Sequence, residues 1–224
     1  MSEHAALGST EECYYLLEYL PGKRYGFSWE NDAIKHLKRR KDRSQGIALR
    51  WKEQAIREVG DLLGPAICEV IDFATTTIVP VPPSRVRPDE FYDDRVMQLL
   101  RRACPTGTDI RELIVCREGR MAAHESERRP GVEELIGNYE LGPLEIVDGI
   151  VGKAADGSLV NGTAGGSPVL ERIVLFDDVI TSGNHFMACK RFLLRHFPGR
   201  EVAGVFVARR ALSLAACGGD QLAR

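Results

Sequence analysis

The residues best suited to chemistry in this chain stand side by side: Asp177-Asp178-Val179-Ile180-Thr181-Ser182-Gly183. Thr181 and Ser182 offer hydroxyls, and Gly183 permits a tight turn with close backbone approach. A helix opening directly afterwards, at Asn184, would add backbone N–H groups that attract an anion. Together Val179, Ile180, Thr181, Ser182, Gly183 and Asn184 read as a cradle for a phosphate dianion. The carboxylates of Asp177 and Asp178, one sugar length upstream, are placed to accept hydrogen bonds from ribose hydroxyls and to help hold a hard cation such as Mg²⁺. An isolated Thr-Ser-Gly would read more simply as a helix cap and turn. It is the joint occurrence of strand, acid pair, cradle and helix that carries the anion reading.

The elements that must position these residues are visible on both sides. Arg172-Ile173-Val174-Leu175-Phe176 is a short continuous apolar run, as expected of a central strand covered on both faces and ended by the two aspartates. After Gly183, Phe186, Cys189, Leu193, Leu194 and Phe197 recur at helical spacing until Pro198-Gly199. Val202 to Ala208 reads as a further strand, closing a β-α-β unit of the kind that builds a mostly parallel sheet with ligands at its carboxyl ends. Upstream, Thr76 to Val81 reads as a buried strand stopping at Pro82-Pro83, and a helix is expected from about Asp89, with Tyr92, Val96, Leu99, Leu100 and Ala103 on one face. Ile47, Trp51, Ala55, Val59 and Leu63 recur every four residues, predicting a core helix that ends near Gly64-Pro65. The Gly/Ala-rich stretch from Gly149 to Pro168 breaks every periodic pattern and reads as a loop.

Composition narrows the class. The chain has 224 residues, 44% of them hydrophobic, enough for one ordinary α/β core with a small appendage. Thirty basic against thirty-two acidic residues leave a formal charge of -2, so no whole-molecule field recruits nucleic acid. The basic run Lys35, Lys38, Arg39, Arg40, Lys41 and Arg43 lacks interleaved aromatics, reads as the wet face of a helix, and makes direct nucleic-acid recognition unexpected. Six widely spaced cysteines without a C-x-x-C pair argue against structural zinc and against a disulfide scaffold. No window approaches the roughly 18 apolar residues of a membrane span, and the N-terminus lacks a basic region followed by an apolar one, so a cytoplasmic protein is expected.

The stretch Val174 to Gly183 closely resembles the phosphoribosyl pyrophosphate motif of type I phosphoribosyltransferases. Within that family the chain looks most like the ComF-type branch. The features behind this are the helix with Ile47 and Trp51, the Ile78-Val79-Pro80-Val81-Pro82 strand and loop, and Glu127-Arg128 ahead of Asn138-Tyr139, in that order. The resemblance implies a Rossmann-like α/β fold with a mostly parallel central sheet flanked by helices. The resemblance covers roughly Ile34 to Arg209, and the domain it implies is placed at 31–212, with a helical N-terminal appendage over 1–30 and a tail over 213–224. It implies that the chain binds 5-phosphoribosyl 1-pyrophosphate, or a related ribose phosphate, with Mg²⁺, and transfers the phosphoribosyl group to a nitrogen nucleophile. Asp177 and Asp178 would be the catalytic and metal-linked pair, and Pro83, Ser84 and Arg85, with Arg87 nearby, would correspond to the family's pyrophosphate loop. Such proteins are often homodimers.

Departures from the family pattern restrict the acceptor. Members using 6-oxopurines carry an aspartate where this chain has Thr181, which disfavours those bases. The basic, glycine-rich loop of orotate enzymes has no counterpart. The nearest candidate for a mobile catalytic loop is Arg117 to Glu125, including His124, a histidine whose ordinary pKa suits general-base work but which in a charged stretch is more often solvated. Where ComF-type proteins frequently have a cysteine-paired zinc element, Cys13 stands alone. A second reading, kept open on these departures, is a regulatory or partner-binding protein that retains the ligand site without turnover.

Overall fold

The computed structural model describes residues 7, 10–40, 46–119, 130–143 and 171–211. The Gly149–Pro168 stretch, His124, Lys41, Arg43 and the C-terminal tail lie outside the described residues. Six strands and five helices follow in the order β1 (Cys13–Tyr19), α1 (Trp29–Leu37), α2 (Ile47–Val70), β2 (Thr76–Pro80), α3 (Arg95–Ala103), β3 (Ile114–Cys116), α4 (Val132–Gly137), β4 (Tyr139–Leu141), β5 (Arg172–Ile180), α5 (Asn184–His196) and β6 (Glu201–Arg210). The central sheet has the order β1-β6-β5-β2, and all its pairings are parallel. A small antiparallel pair, β3 and β4, lies beside it.

Alternation along the strands divides the core in two. Val174 and Phe176 of β5 pack with Ile34 and Leu37 of α1, with the α2 stripe and with Leu99 and Leu100 of α3. Ile173 and Leu175 point the other way, towards Leu135 of α4, Phe186 and Leu193 of α5, and Ile114 of β3. Buried strands with helices on both faces are what the continuous apolar runs require. The result is α/β with a parallel central sheet, compatible with a Rossmann-like fold.

Five expectations about elements need correction. The N-terminal region is not helical: Cys13–Tyr19 is a strand at the edge of the central sheet, running parallel to β6. Its tyrosines favour a pleated, half-buried surface, and the buried Glu18 accepts a 2.8 Å hydrogen bond from Arg209 of β6. That pair is 191 residues apart in sequence, so no local pattern announces it. The acid pair does not end β5, which continues to Ile180 because β6 still pairs with Val179 and Ile180.

Helix α2 runs through Gly64-Pro65 to Val70. Leu63, Ala66 and Ile67 stay buried, and Gly64 lets the backbone of Ala103 on α3 approach closely, so packing overrides the proline. Its buried stripe is Lys52, Ala55, Ile56, Val59, Leu63 and Ile67, while Ile47 and Trp51 are exposed. A strict four-residue repeat drifts by about 40° per step around a helix, so four steps back from Leu63 bring Ile47 to the far side. Finally, α3 begins at Arg95 rather than near Asp89, with turns over Asp89 to Tyr92 ahead of it.

Gly204 of β6 lies where the sheet meets α5. A Cβ there would stand 2.7 Å from the Phe206 ring and 2.9 Å from the Phe186 ring, both fully packed. Gly204→Ala is expected to destabilise the protein by ~1–3 kcal/mol through overpacking, measured as a lower urea midpoint at unchanged slope.

Candidate functional site

β2 and β5 lie side by side, and the chain leaves them in opposite directions. After β2 it passes through α3 to Ile110, which bridges in parallel to Ile78 on the side of β2 away from β5. After β5 it passes through α5 to β6, on the other side. The carboxyl ends of β2 and β5 therefore flank a topological switch point, where the two outgoing loops part and leave a crevice. The crevice is an open cavity of about 1110 Å³. Pro83, Ser84 and Arg85 line it from the loop after β2, and Asp177, Asp178 and Val179 to Asn184 line it from β5 and the loop beyond. The fold thus brings together two segments that sequence reading had assigned separately.

The cradle has the local form expected of it. Gly183 adopts φ 84°, a left-handed conformation that favours glycine, and caps α5 without any side-chain hydrogen bond. Met187 N–H is the first to close a helical bond, to Gly183 O at 2.9 Å, so the N–H groups of Asn184, His185 and Phe186 open the helix towards the cavity rim. Thr181 and Ser182 are partly exposed on the same rim. Val179 and Ile180 are buried strand residues that anchor the loop to β6. The Asn184 side chain donates to Pro130 O at 2.9 Å.

The acid pair is split by its surroundings. Asp178 is 3% exposed, and Arg95 grips one of its oxygens, with Nε at 2.8 Å and Nη2 at 2.7 Å. Lys38 Nζ stands 3.4 Å from the other oxygen. Burial opposes the Asp178 charge, but Arg95 and Lys38 overcome it and hold the carboxyl well below the usual carboxylate range. Asp177 receives no such grip. Burial, then the neighbouring Asp178 charge, push its carboxyl up to about 7, while one of its oxygens accepts the Asp178 N–H at 2.7 Å. One acid is a fixed anion and the other changes charge near neutrality.

Sequence reading missed Lys38 and Arg95. Among the described residues of the basic run, three cations are engaged rather than simply solvated: Lys35 pairs with Asp32 and lies over the Tyr25 ring, Arg39 donates to the His36 ring, and Lys38 reaches the site. Tyr25 and Trp51, distant in sequence, flank His36 with ring centroids 5.1 and 5.6 Å away. The density of cations around Lys38 was a signal without an address. Arg95 had no signal, because one arginine at a helix start is unremarkable until the strand it faces is known. Arg85 does line the cavity, but its guanidinium sits 2.9 Å from Asp89 and over the Phe91 ring. Arg87 is similarly paired with Glu112 at 3.2 Å.

For Mg²⁺ the donor set is narrow. Asp178 already shares its oxygens with two cations, which leaves Asp177 as the carboxylate able to ligate. Among the described residues no group of three metal-ligating side chains occurs. Mg²⁺ commonly retains water and takes one or two carboxylates alongside substrate phosphates, and Asp177 fits that mode.

The Asp177 carboxyl gains protons on folding between its ordinary value of 3.8 and about 7. The folded state binds more protons there, so stability from this group is greatest in acid and is lost as pH rises through that window. The depressed Asp178 acts oppositely, but in more acidic solution. Asp177→Asn, which retains the oxygen accepting from Asp178, is expected to raise the Tm at pH 8 by several degrees. It should also flatten the slope of Tm between about pH 5 and 7, as measured by calorimetry across that range. No known protein-family model matches this chain, and no curated protein matches it.

Proposed function

We propose that this chain binds 5-phosphoribosyl 1-pyrophosphate, or a closely related ribose phosphate, in the crevice between β2 and β5, and transfers the phosphoribosyl group to a nitrogen nucleophile. The observation that carries the reading is the meeting of the Asp177-to-Asn184 segment and the Pro83-to-Arg85 loop across one switch-point cavity, with the acid pair between them. The left-handed Gly183 turn and the start of α5 suit the 5-phosphate. Asp177, when ionised, suits a hydrogen bond from a ribose hydroxyl, and Asp178 is fixed too firmly by Arg95 to reorient.

In the reaction the C1–O bond to pyrophosphate breaks, pyrophosphate leaves with the bonding electrons, a C1–N bond forms, and the acceptor nitrogen releases its proton to solvent. Mg²⁺, when bound, supplies charge neutralisation to the leaving group. The chain's part is to hold the ribose rigidly and to surround the departing charge with fixed dipoles and cations. A second reading, binding without turnover, draws support from the cation-locked state of Asp178 and from Arg85, which is engaged with Asp89.

Thermal shift with 5-phosphoribosyl 1-pyrophosphate and Mg²⁺ tests the binding step, since a ligand at about 100 times its Kd raises native stability by ~2.7 kcal/mol. Wild type is expected to be stabilised, and Gly183→Val, which forces a branched residue into a left-handed turn, is expected to lose the effect. Absence of any shift at saturating ligand overturns the reading. Pyrophosphate release in the presence of nitrogenous bases then separates transfer from binding alone.

A further inference from the structure

One cation of the cavity comes from outside both loops, at the end of α1. We infer that Lys38, at the end of α1, is the residue that meets the pyrophosphate group of the ligand. The inference rests on the ribose-phosphate reading of this site and assigns within it a contact that the Pro83-to-Arg85 loop was expected to make.

Three observations point to Lys38. The first is its anchoring. Lys38 is the C-cap of α1, its N–H bonded to Ile34 O. The residues on either side are pinned by Lys52, a nearly buried lysine whose ammonium donates to Leu37 O at 2.9 Å, Arg39 O at 2.7 Å and Asp93 at 2.6 Å. Asp93 in turn accepts from Arg95 at 2.7 Å, and Arg95 holds Asp178. The backbone of Lys38 is thus tied to the same charged chain that fixes the acid pair.

The second is the looseness of its side chain. Lys38 is 40% exposed and its ion pair with Asp178 spans 3.4 Å, against 2.7 Å for Arg95 on the same carboxylate. Asp178 keeps Arg95 if Lys38 turns away, so an arriving anion can take Lys38 without leaving a buried charge unpaired. A flexible ammonium with three rotatable donors is suited to that exchange. The third is position. Lys38 lines the same cavity as the 181–184 cradle and reaches Asp178 of the acid pair, so a ribose lying along the acid pair with its 5-phosphate in the cradle can present its anomeric substituent to it. Arg85, the competing cation, is committed to Asp89 and to the Phe91 ring.

The test separates the two phosphate ends of the ligand. Isothermal titration with 5-phosphoribosyl 1-pyrophosphate and with ribose 5-phosphate, each in Mg²⁺, is run on wild type, Lys38→Met and Lys38→Arg. The methionine variant is expected to weaken binding of 5-phosphoribosyl 1-pyrophosphate by roughly 10–100-fold, the worth of a charge-assisted hydrogen bond. Its ribose 5-phosphate affinity should stay within about threefold of wild type, which also shows that the cradle is folded. The arginine variant should recover part of the loss. Unchanged affinity for 5-phosphoribosyl 1-pyrophosphate in Lys38→Met, or equal weakening of both ligands, overturns the inference while leaving the site reading in place. Failure of wild type to bind either ligand overturns the site reading itself, and the inference with it.

Discussion

A carboxylate buried near the carboxyl end of a central strand dominates the organisation of this protein. Asp178 lies where β5 leaves the sheet core, and a charge there is tolerable only if cations are delivered to it and its hydrogen-bonding capacity is filled. Arg95 does this from the first turn of α3, and Lys38 does it from the end of α1. Arg95 is itself steadied by Asp93, and Asp93 by Lys52 of α2. One buried charge therefore fixes three helices relative to the strand that carries the candidate site. Removing Arg95, the partner that grips Asp178 most closely, would strand a charge in the interior, a far larger cost than losing a surface ion pair.

The apolar core supplies the rigid frame for this network. Because β5 is covered on both faces, its alternate residues commit to α1, α2 and α3 on one side and to α4 and α5 on the other. Asp178 meets Arg95 and Lys38, which come from the helices packed on Val174 and Phe176, whereas Asp177 receives only the Asp178 N–H among the hydrogen bonds described. Two adjacent carboxylates thus meet different neighbours, and the difference in their proton affinity follows from those neighbours.

The consequence for function is a division of labour within one cavity. A fixed anion organises cations, a neighbouring acid titrates near neutrality, and a helix start preceded by a left-handed glycine lies on the same rim. The proposed ribose phosphate would bring a dianion for the helix start and hydroxyls for a carboxylate. The cavity lies at a switch point of a parallel sheet, where the backbone leaves room for a ligand without interrupting any strand pairing.

Much of this was legible in the residues alone. The apolar run before Asp177, the amphipathic helix after Gly183 and the strand beyond it are local patterns of short period, and each of those elements formed where its spacing placed it, with β5 running on past the acids. The acid pair and hydroxyl-glycine turn were likewise readable, because their chemistry depends on residue type and near neighbours. What escaped was set by partners far away in the chain. Cys13–Tyr19 became a strand because β6 offered it an edge and Arg209 met Glu18. α2 crossed Pro65 because α3 packed against it. Lys38 and Arg95 entered the site because folding set them against a strand end more than 80 residues downstream. The sequence by itself determined the secondary elements of the β5-α5-β6 unit and the chemical character of its loop. Only the tertiary structure decided which cations meet which acid and which loop faces which, because electrostatic pairing acts through space and leaves no period in the chain.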